Sequence, residues 1–351
     1  MIRSINYPNT YRKTEIDKII SAVEAGESIS LVGLSGAGKS NLLGFLSTQQ
    51  NPHIKFVYID GNRLQVSNSQ NLLQLILNSI IGENNISHQT EFSSLENEIG
   101  KILVEQGKIL CLIIDRFDIL NDDDIKLCGA NLRALRDQFK YQLTYIFGTR
   151  KPIPIDNEIS ELFFGNTIWL EPLNYEDASW SIKHYLNRNK INCEVNVIQQ
   201  IYDLSRGYPS FMRAICEAYA AGCSLQPNTL QKNPIFERRI TEFLRDDPTP
   251  EMLKHSGLES YPFFNHENET KDLTEKEYLL LSCLKHEFGK IVEKDKIIKF
   301  VWPEDKVFQE GIRDDSLAQL IRRLRRKIEN DPGNSLKILT ITGRGYKITQ
   351  K

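Results

Sequence analysis

Residues Gly33-Leu34-Ser35-Gly36-Ala37-Gly38-Lys39-Ser40 combine three glycines, a lysine and a hydroxyl at the spacing G-x-x-x-x-G-K-[ST], directly after the apolar run Ile29-Ser30-Leu31-Val32. The glycines let the backbone curl until successive N–H groups point at one anion. The helix expected over Lys39 to Leu46 turns its positive end toward the same point. Gly33, Ser35, Gly36, Ala37, Gly38, Lys39, Ser40 and Asn41 are therefore the expected phosphate and nucleotide contacts. Lys39 reaches the β- and γ-phosphates, and the Ser40 hydroxyl suits Mg²⁺, a hard cation that prefers oxygen ligands. The chemistry implied is the binding of a nucleoside triphosphate, with ATP or ADP and Mg²⁺ as cofactors.

A second strand-like run, Ile109-Leu110-Cys111-Leu112-Ile113-Ile114-Asp115, ends in a carboxylate. This is the form of a Walker B element, and Asp115 is expected to hold Mg²⁺ beside the loop, directly or through water. Asp118, three residues on, is the candidate to act on the γ-phosphate side as a base if the turn brings it there. Tyr145-Ile146-Phe147-Gly148-Thr149-Arg150 predicts another strand with a polar tip, from which Arg150 would give charge-assisted hydrogen bonds to a γ-phosphate. Downstream, Arg206-Gly207-Tyr208-Pro209 reads as a helix boundary, with Pro209 suited to a first helical turn.

These residues need a scaffold, and the patterning supplies one. Strand-like runs at 28–32, 54–59, 109–114, 142–147 and 167–170 alternate with helical segments near 14–25, 38–48, 68–81, 92–106 and 124–138, as expected of a parallel sheet with helices on both faces. From Tyr175 onward helices dominate, at about 175–188, 194–204, 209–222 and 233–245, which reads as a helical lid. A polar, turn-rich stretch follows. The expected organisation is a P-loop ATPase domain at 1–172, a lid at 173–257, a linker at 258–271 and a further domain at 272–351. At 351 residues the chain is long enough for such separate cores, and 40% hydrophobic with 26% charged residues is a globular composition. No apolar stretch reaches membrane-spanning length and the amino terminus leads into polar sequence, so a cytoplasmic location without a membrane partner is expected. The six scattered cysteines read as reduced, mostly buried thiols.

The net charge of -2 conceals an asymmetry, because residues 271–351 hold 18 Lys/Arg against 13 Asp/Glu and residues 321–351 hold 9 against 2. Leu273-Thr274-Glu275-Lys276-Glu277 opens a helix with a capping-box pattern, and a second helix at about 293–301 ends at Trp302-Pro303. A third, at about 314–330, sets Leu317, Leu320, Ile321, Leu324 and Ile328 on one face and Arg322, Arg323, Arg325, Arg326 and Lys327 on the other. Strand patterns at 336–341 and 346–349 flank Thr342-Gly343-Arg344-Gly345, a hairpin with a cationic tip. Three helices and such a hairpin form a winged helix-turn-helix, its third helix placed for a major groove and its wing for a minor groove or phosphates.

Residues 10–225 resemble the STAND branch of AAA-like signalling ATPases through the P-loop, Asp115, Thr149-Arg150, and Gly207-Tyr208-Pro209 as that branch's G-x-P motif. Tyr11-Arg12-Lys13-Thr14-Glu15 resembles its G-R-E-x-E motif without the glycine. The resemblance implies that Pro209 contacts nucleotide, that nucleotide exchange switches a closed state to an open, assembling one, and that a homo-oligomer forms with nucleotide. Arg116 stands where many hydrolysing relatives carry a glutamate, which favours slow switching over rapid turnover. Residues 272–350 resemble the OmpR/PhoB-type transcriptional effector domain through Leu273-Thr274-x-x-Glu277, Val301-Trp302, Arg323-Leu324-Arg325-Arg326-Lys327-Ile328, Asp331-Pro332-Gly333-Asn334 and Gly343-Arg344-Gly345-Tyr346-Lys347. That resemblance implies double-stranded DNA as partner, with Arg322, Arg323, Arg325, Arg326 and Lys327 on the recognition helix and Arg344 and Lys347 on the wing. Leu320 departs from it, standing where many members have a polar residue.

The fold expected is an α/β P-loop NTPase with a helical lid and a C-terminal winged helix, and the function a nucleotide switch that regulates transcription. Two alternatives stay open at this point. One is a DNA-remodelling or loading ATPase; the other is a defence or signalling hub whose winged helix binds protein. Nothing in the sequence suggests the acceptor site a small-molecule kinase needs.

Overall fold

A computed structural model describes residues 7–82, 92–153, 159–163, 165–192, 194–246, 248–264, 273–302, 314–329 and 336–350. The chain divides into two compact units, 1–259 and 260–351.

The first unit is built on five strands: β1 (Ile29–Val32), β2 (Ile54–Asp60), β3 (Ile109–Asp115), β4 (Leu143–Thr149) and β5 (Thr167–Trp169). All pair in parallel, in the order β2-β3-β4-β1-β5. β1 and β4 are buried at every residue, as expected of strands covered on both faces. Helices α1 (Lys13–Glu24), α2 (Lys39–Thr48), α3 (Ser69–Ile81), α4 (Phe92–Gln106), α5 (Asp122–Phe139) and the short α6 (Ser160–Phe163) surround the sheet. On one face Leu110, Leu112 and Ile114 of β3 pack with Leu72, Ile76, Leu95, Ile99 and Leu132 of α3, α4 and α5. Asparagine starts several helices, because its amide oxygen satisfies an orphan N–H: Asn68 accepts from Asn71, Asn121 from Asp124 and Asn174 from Asp177.

The register decides what meets at the carboxyl edge of the sheet. Asp115 pairs with Asp60 on one side and Gly148 on the other, and Thr149 pairs with Val32. Because β4 lies between β1 and β3, its tip stands between the loop after β1 and the acid that ends β3. Ligands in open parallel sheets bind at this edge.

Among the described residues the unit continues with six helices: α7 (Tyr175–Arg188), α8 (Val195–Ser205), α9 (Pro209–Ala220), α10 (Pro227–Gln231), α11 (Pro234–Leu244) and α12 (Pro250–His255). The short α6, α10 and α12 have no counterpart among the helices expected from sequence. Proline supplies the first helical turn of α9 to α12. The turn into α9 runs through Arg206 and Gly207, both at positive φ, and a Cβ on Gly207 would lie 2.3 Å from the Leu173 carbonyl oxygen. Only glycine fits there. Phe243 of α11 packs edge-on against Tyr208 and Phe211, which are tilted against each other, and this ring cluster ties α9 to α11.

The second unit contains α13 (Glu275–His286), α14 (Lys294–Val301) and α15 (Asp314–Ile328), with an antiparallel sheet of β6 (Val292–Glu293), β8 (Gly345–Gln350) and β7 (Leu336–Ile341), β8 in the centre. The expected hairpin gains a third strand, β6, too short for pattern reading. Gly345 makes room for it: at φ 145°, a Cβ there would sit 2.0 Å from the Val292 oxygen. Leu317, Leu320, Ile321, Leu324 and Ile328 of α15 join Leu280, Leu284, Val292, Ile297, Ile338 and Ile348 in one core, so the unusual Leu320 is a packing residue.

The stretch expected as a linker at 258–271 is packed in its first part, where Leu258, Tyr261 and Phe263 are buried; 265–271 lie outside the described residues. So do Pro303, Asp331-Pro332-Gly333-Asn334 and Cys193. Cys111, Cys128, Cys216 and Cys283 are buried, and burial pushes the Cys111 and Cys128 thiols up to about 12. Among the described residues no helix is long and apolar enough to cross a membrane.

Candidate functional site

The loop between β1 and α2 turns at Gly36 and Gly38, both at positive φ, and delivers Lys39 to the first turn of α2. Lys39 is buried, and its ammonium donates to the carbonyls of Gly33 and Leu34. Burial lowers its pKa to about 8, against the pull of Asp118, Asp115 and Asp246, which favour the charged form. Ser40 and Asn41 are exposed at the start of α2. A cleft of about 420 Å³ opens beside them, lined by Tyr7, Trp180, Pro209, Met212 and Arg213 among others. That volume suits a small ligand.

Asp115, a residue only 1% exposed, ends β3; its Oδ2 accepts from the Tyr58 hydroxyl at 2.7 Å and Oδ1 from the Arg116 N–H at 3.0 Å. The same carboxylate raises the Tyr58 hydroxyl pKa further beyond what burial alone does. A Cβ on Gly148 would meet Asp115 Oδ1 at 2.9 Å, so that glycine keeps the space the acid occupies. Arg116 leaves the strand at φ 57°. Arg150 follows the tip of β4, donates from Nε to Asp118 Oδ2 at 2.6 Å and reaches Asp246 Oδ1 from Nη1 at 3.3 Å. The Asp118 hydrogen bond, more than any other influence, raises its pKa. Asp118, read from sequence as a base, is thus the partner of Arg150.

The lid sits on the loop. Tyr208 donates its hydroxyl to the Ser35 carbonyl at 2.7 Å, the Ser210 N–H donates to the Gly36 carbonyl at 3.1 Å, and Asp246 Oδ2 accepts from the Ser35 N–H at 3.1 Å. Pro209 lies against Gly38, 3.5 Å from where a Cβ would stand. The Ser210 hydroxyl is buried against Gly36 without a hydrogen-bond partner. From the other side Arg12, 1% exposed, donates to the carbonyls of Ala37 and Glu171 and to Glu15, while its N–H bonds Asp177.

Of the sequence-derived residues, the structure brings together the loop, Asp115, Asp118, Arg150 and Pro209. Tyr58, Gly148, Ser210 and Asp246 were not foreseen. Tyr58 had a weak signal, its place two residues before the end of a strand that pairs with β3. Asp246 had none, since 211 positions separate it from Ser35.

In the second unit, α15 exposes Gln319, Arg322, Arg323 and Arg326. The other two cations of that helix have internal partners. Arg325 donates from Nε to the Ile338 carbonyl at 3.0 Å and from Nη2 to Thr340 Oγ1 at 2.8 Å, joining α15 to β7. Lys327 pairs with Glu277 Oε2 at 2.6 Å, and that carboxylate also accepts the Thr274 N–H, one arm of the expected capping box. Burial pushes the Glu277 carboxyl up, but Lys327 and Thr274 outweigh it and hold the pKa below its usual value. Arg344 is exposed at the wing turn, and Lys347 lies half-buried on β8 opposite Leu339.

Residues 268–348 match the family described as transcriptional regulatory protein, C terminal. The second unit is a winged helix of that type. The probable transcriptional regulator ycf27 of Cyanidium caldarium is 42% identical over 80 residues, 22% of this chain and 32% of that protein. The sensory transduction protein RegX3 of Mycolicibacterium smegmatis is 36% identical over 73 residues, 21% of this chain and 30% of that protein. The chain therefore spans about a third of the length of the curated relatives it matches. Among solved structures, the Walker-type ATPase paby2304 of Pyrococcus abyssi aligns over 98% of this chain and 96% of its own, at 13% identity and a TM-score of 0.47.

Proposed function

We propose that this chain is a nucleotide-gated regulator of transcription, which binds ATP or ADP in the first unit and double-stranded DNA through the second. The observation that carries the reading is the convergence of Lys39, Asp115 and Arg150 at the carboxyl edge of a parallel sheet, on one chain with a transcriptional-regulator-type winged helix. The loop amides and Lys39 would hold phosphates, and Tyr7, Trp180, Pro209 and Met212 would cover the remainder of the nucleotide in the adjoining cleft.

The Ser40 hydroxyl and Asp115 carboxylate would hold Mg²⁺, which would neutralise phosphate charge there. Two protein oxygens suit that ion, which keeps waters and phosphate oxygens as its other ligands. Tyr58 and the Arg116 N–H fix the Asp115 carboxylate for the purpose. With Arg116 in the place of a glutamate and Asp118 engaged by Arg150, the residues favour binding-driven switching over fast hydrolysis. Nucleotide-dependent self-assembly belongs to the same reading.

On DNA, Arg322, Arg323 and Arg326 would enter the major groove, with Arg344 and Lys347 on the wing, whereas Arg325 and Lys327 serve the fold. Titrating labelled duplex with the full chain, with and without nucleotide, tests the reading. Lys39→Ala is expected to retain DNA binding and lose its nucleotide response; an unchanged nucleotide response would refute it.

A further inference from the structure

Two cations, Lys39 and Arg150, stand among three carboxylates, Asp115, Asp118 and Asp246, at the carboxyl edge of the sheet. Asp115 ends β3 and Asp118 sits in the one-turn helix just after it; Asp246 comes from the lid, two residues past the end of α11. Its carboxylate is only 12% exposed and bridges two groups that otherwise would face an anion: Oδ2 takes the Ser35 N–H of the loop, and Oδ1 takes the Arg150 guanidinium. A carboxylate held by a loop amide and a guanidinium uses the same donors a phosphate uses.

We propose that Asp246 is a built-in competitor of the terminal phosphate and sets the preference between di- and triphosphate. The inference rests on the nucleotide reading above and deepens it. A diphosphate held by the amides at the start of α2 and by Lys39 leaves the Asp246 bridge intact. A third phosphate extends toward the tips of β3 and β4, where Asp115 and Arg150 stand, and meets the Asp246 carboxylate as a like charge competing for one guanidinium. Triphosphate binding therefore requires Asp246 to leave.

Its departure has a mechanical consequence. The Tyr208, Phe211 and Phe243 rings bind the end of α11 to α9, and Tyr208 and Ser210 of that same element are hydrogen-bonded to the loop at Ser35 and Gly36. Asp246 also stands 13 positions before Glu259, the last residue of the first unit. Releasing it loosens the segment that leads toward the winged helix.

The test is calorimetric titration of the full chain with ADP and with the slowly hydrolysed analogue ATPγS, both with Mg²⁺. Asp246→Ala is expected to tighten ATPγS about tenfold or more relative to ADP, the scale of one charged hydrogen bond or repulsion removed. Asp246→Asn, which keeps a side-chain oxygen for the Ser35 N–H and loses the charge, is expected to move the ratio in the same direction. It guards against a lid that fails to pack in the alanine variant. An unchanged ATPγS-to-ADP ratio in both variants, or weaker ATPγS binding in the asparagine variant, overturns the proposal while leaving the nucleotide reading in place. A wild-type chain that binds neither nucleotide overturns that reading and the proposal with it.

Discussion

At Lys39, burial and three carboxylates pull the ammonium in opposite directions, and burial wins, leaving a pKa of about 8. Incoming phosphates favour the charged form and raise that pKa, so nucleotide binding near pH 8.5 is expected to take up most of a proton and near pH 7 very little. Calorimetry in buffers of different ionisation enthalpy measures this; no uptake at the higher pH would contradict the placement of phosphate beside Lys39. Lys39→Ala is expected to weaken nucleotide binding by about 10- to 100-fold, the worth of its charged hydrogen bonds. A second residue-scale prediction concerns Glu277, whose carboxyl is held below its ordinary value. A depressed carboxyl stabilises the fold above its unfolded pKa, near 4.3, and that contribution is lost as pH falls through the folded value. Lys327→Ala is expected to cost the second unit about 1–2 kcal/mol at neutral pH, since a third of Lys327 is exposed, and to flatten its acid dependence below about pH 4 in scanning calorimetry.

At the scale of elements, α15 divides a run of cations that looks uniform in sequence into exposed residues and internally paired ones. Helical spacing puts Leu317, Leu320, Ile321, Leu324 and Ile328 inward. The same spacing leaves Arg322, Arg323 and Arg326 outward and turns Arg325 and Lys327 sideways to β7 and α13. Arg322→Ala and Arg326→Ala are each expected to weaken duplex binding and to lower the slope of log affinity against log salt by about one, with little change in stability. Gly345→Ala is expected to disrupt the wing by more than about 1–3 kcal/mol, because it combines strained backbone with a clash against Val292; wild-type melting of that variant would contradict the argument. The strands and most helices were legible because apolar period and asparagine or proline starts mark them locally. The short α10, α12 and β6 carry too few residues for a period. The Asp118–Arg150 pairing and the Asp246 bridge were not legible, because they depend on which strand tips and lid segment the topology brings together over distances of 32 and 211 positions.

At the scale of the whole molecule, the lid of the first unit is seated on the phosphate-type loop, and the proposed function couples what that loop holds to DNA binding by the second unit. The lid is hydrogen-bonded to the loop at three points, from Tyr208, Ser210 and Asp246, which is the contact through which the proposed switch would act on α9 and α11. Coupling of this kind is a difference in nucleotide affinity between two conformations, and values of about 1–3 kcal/mol change activity by about 5- to 150-fold. If nucleotide shifts DNA affinity in this way, reciprocity requires DNA to shift nucleotide affinity by the same factor. The most direct measurement is the affinity of the full chain for a duplex selected from random sequence, by fluorescence anisotropy at fixed salt, in the empty, ADP-bound and ATPγS-bound states. The ATPγS-bound and ADP-bound affinities are expected to differ by at least about fivefold. Equal affinities in all three states, with nucleotide binding verified in the same samples, would contradict it.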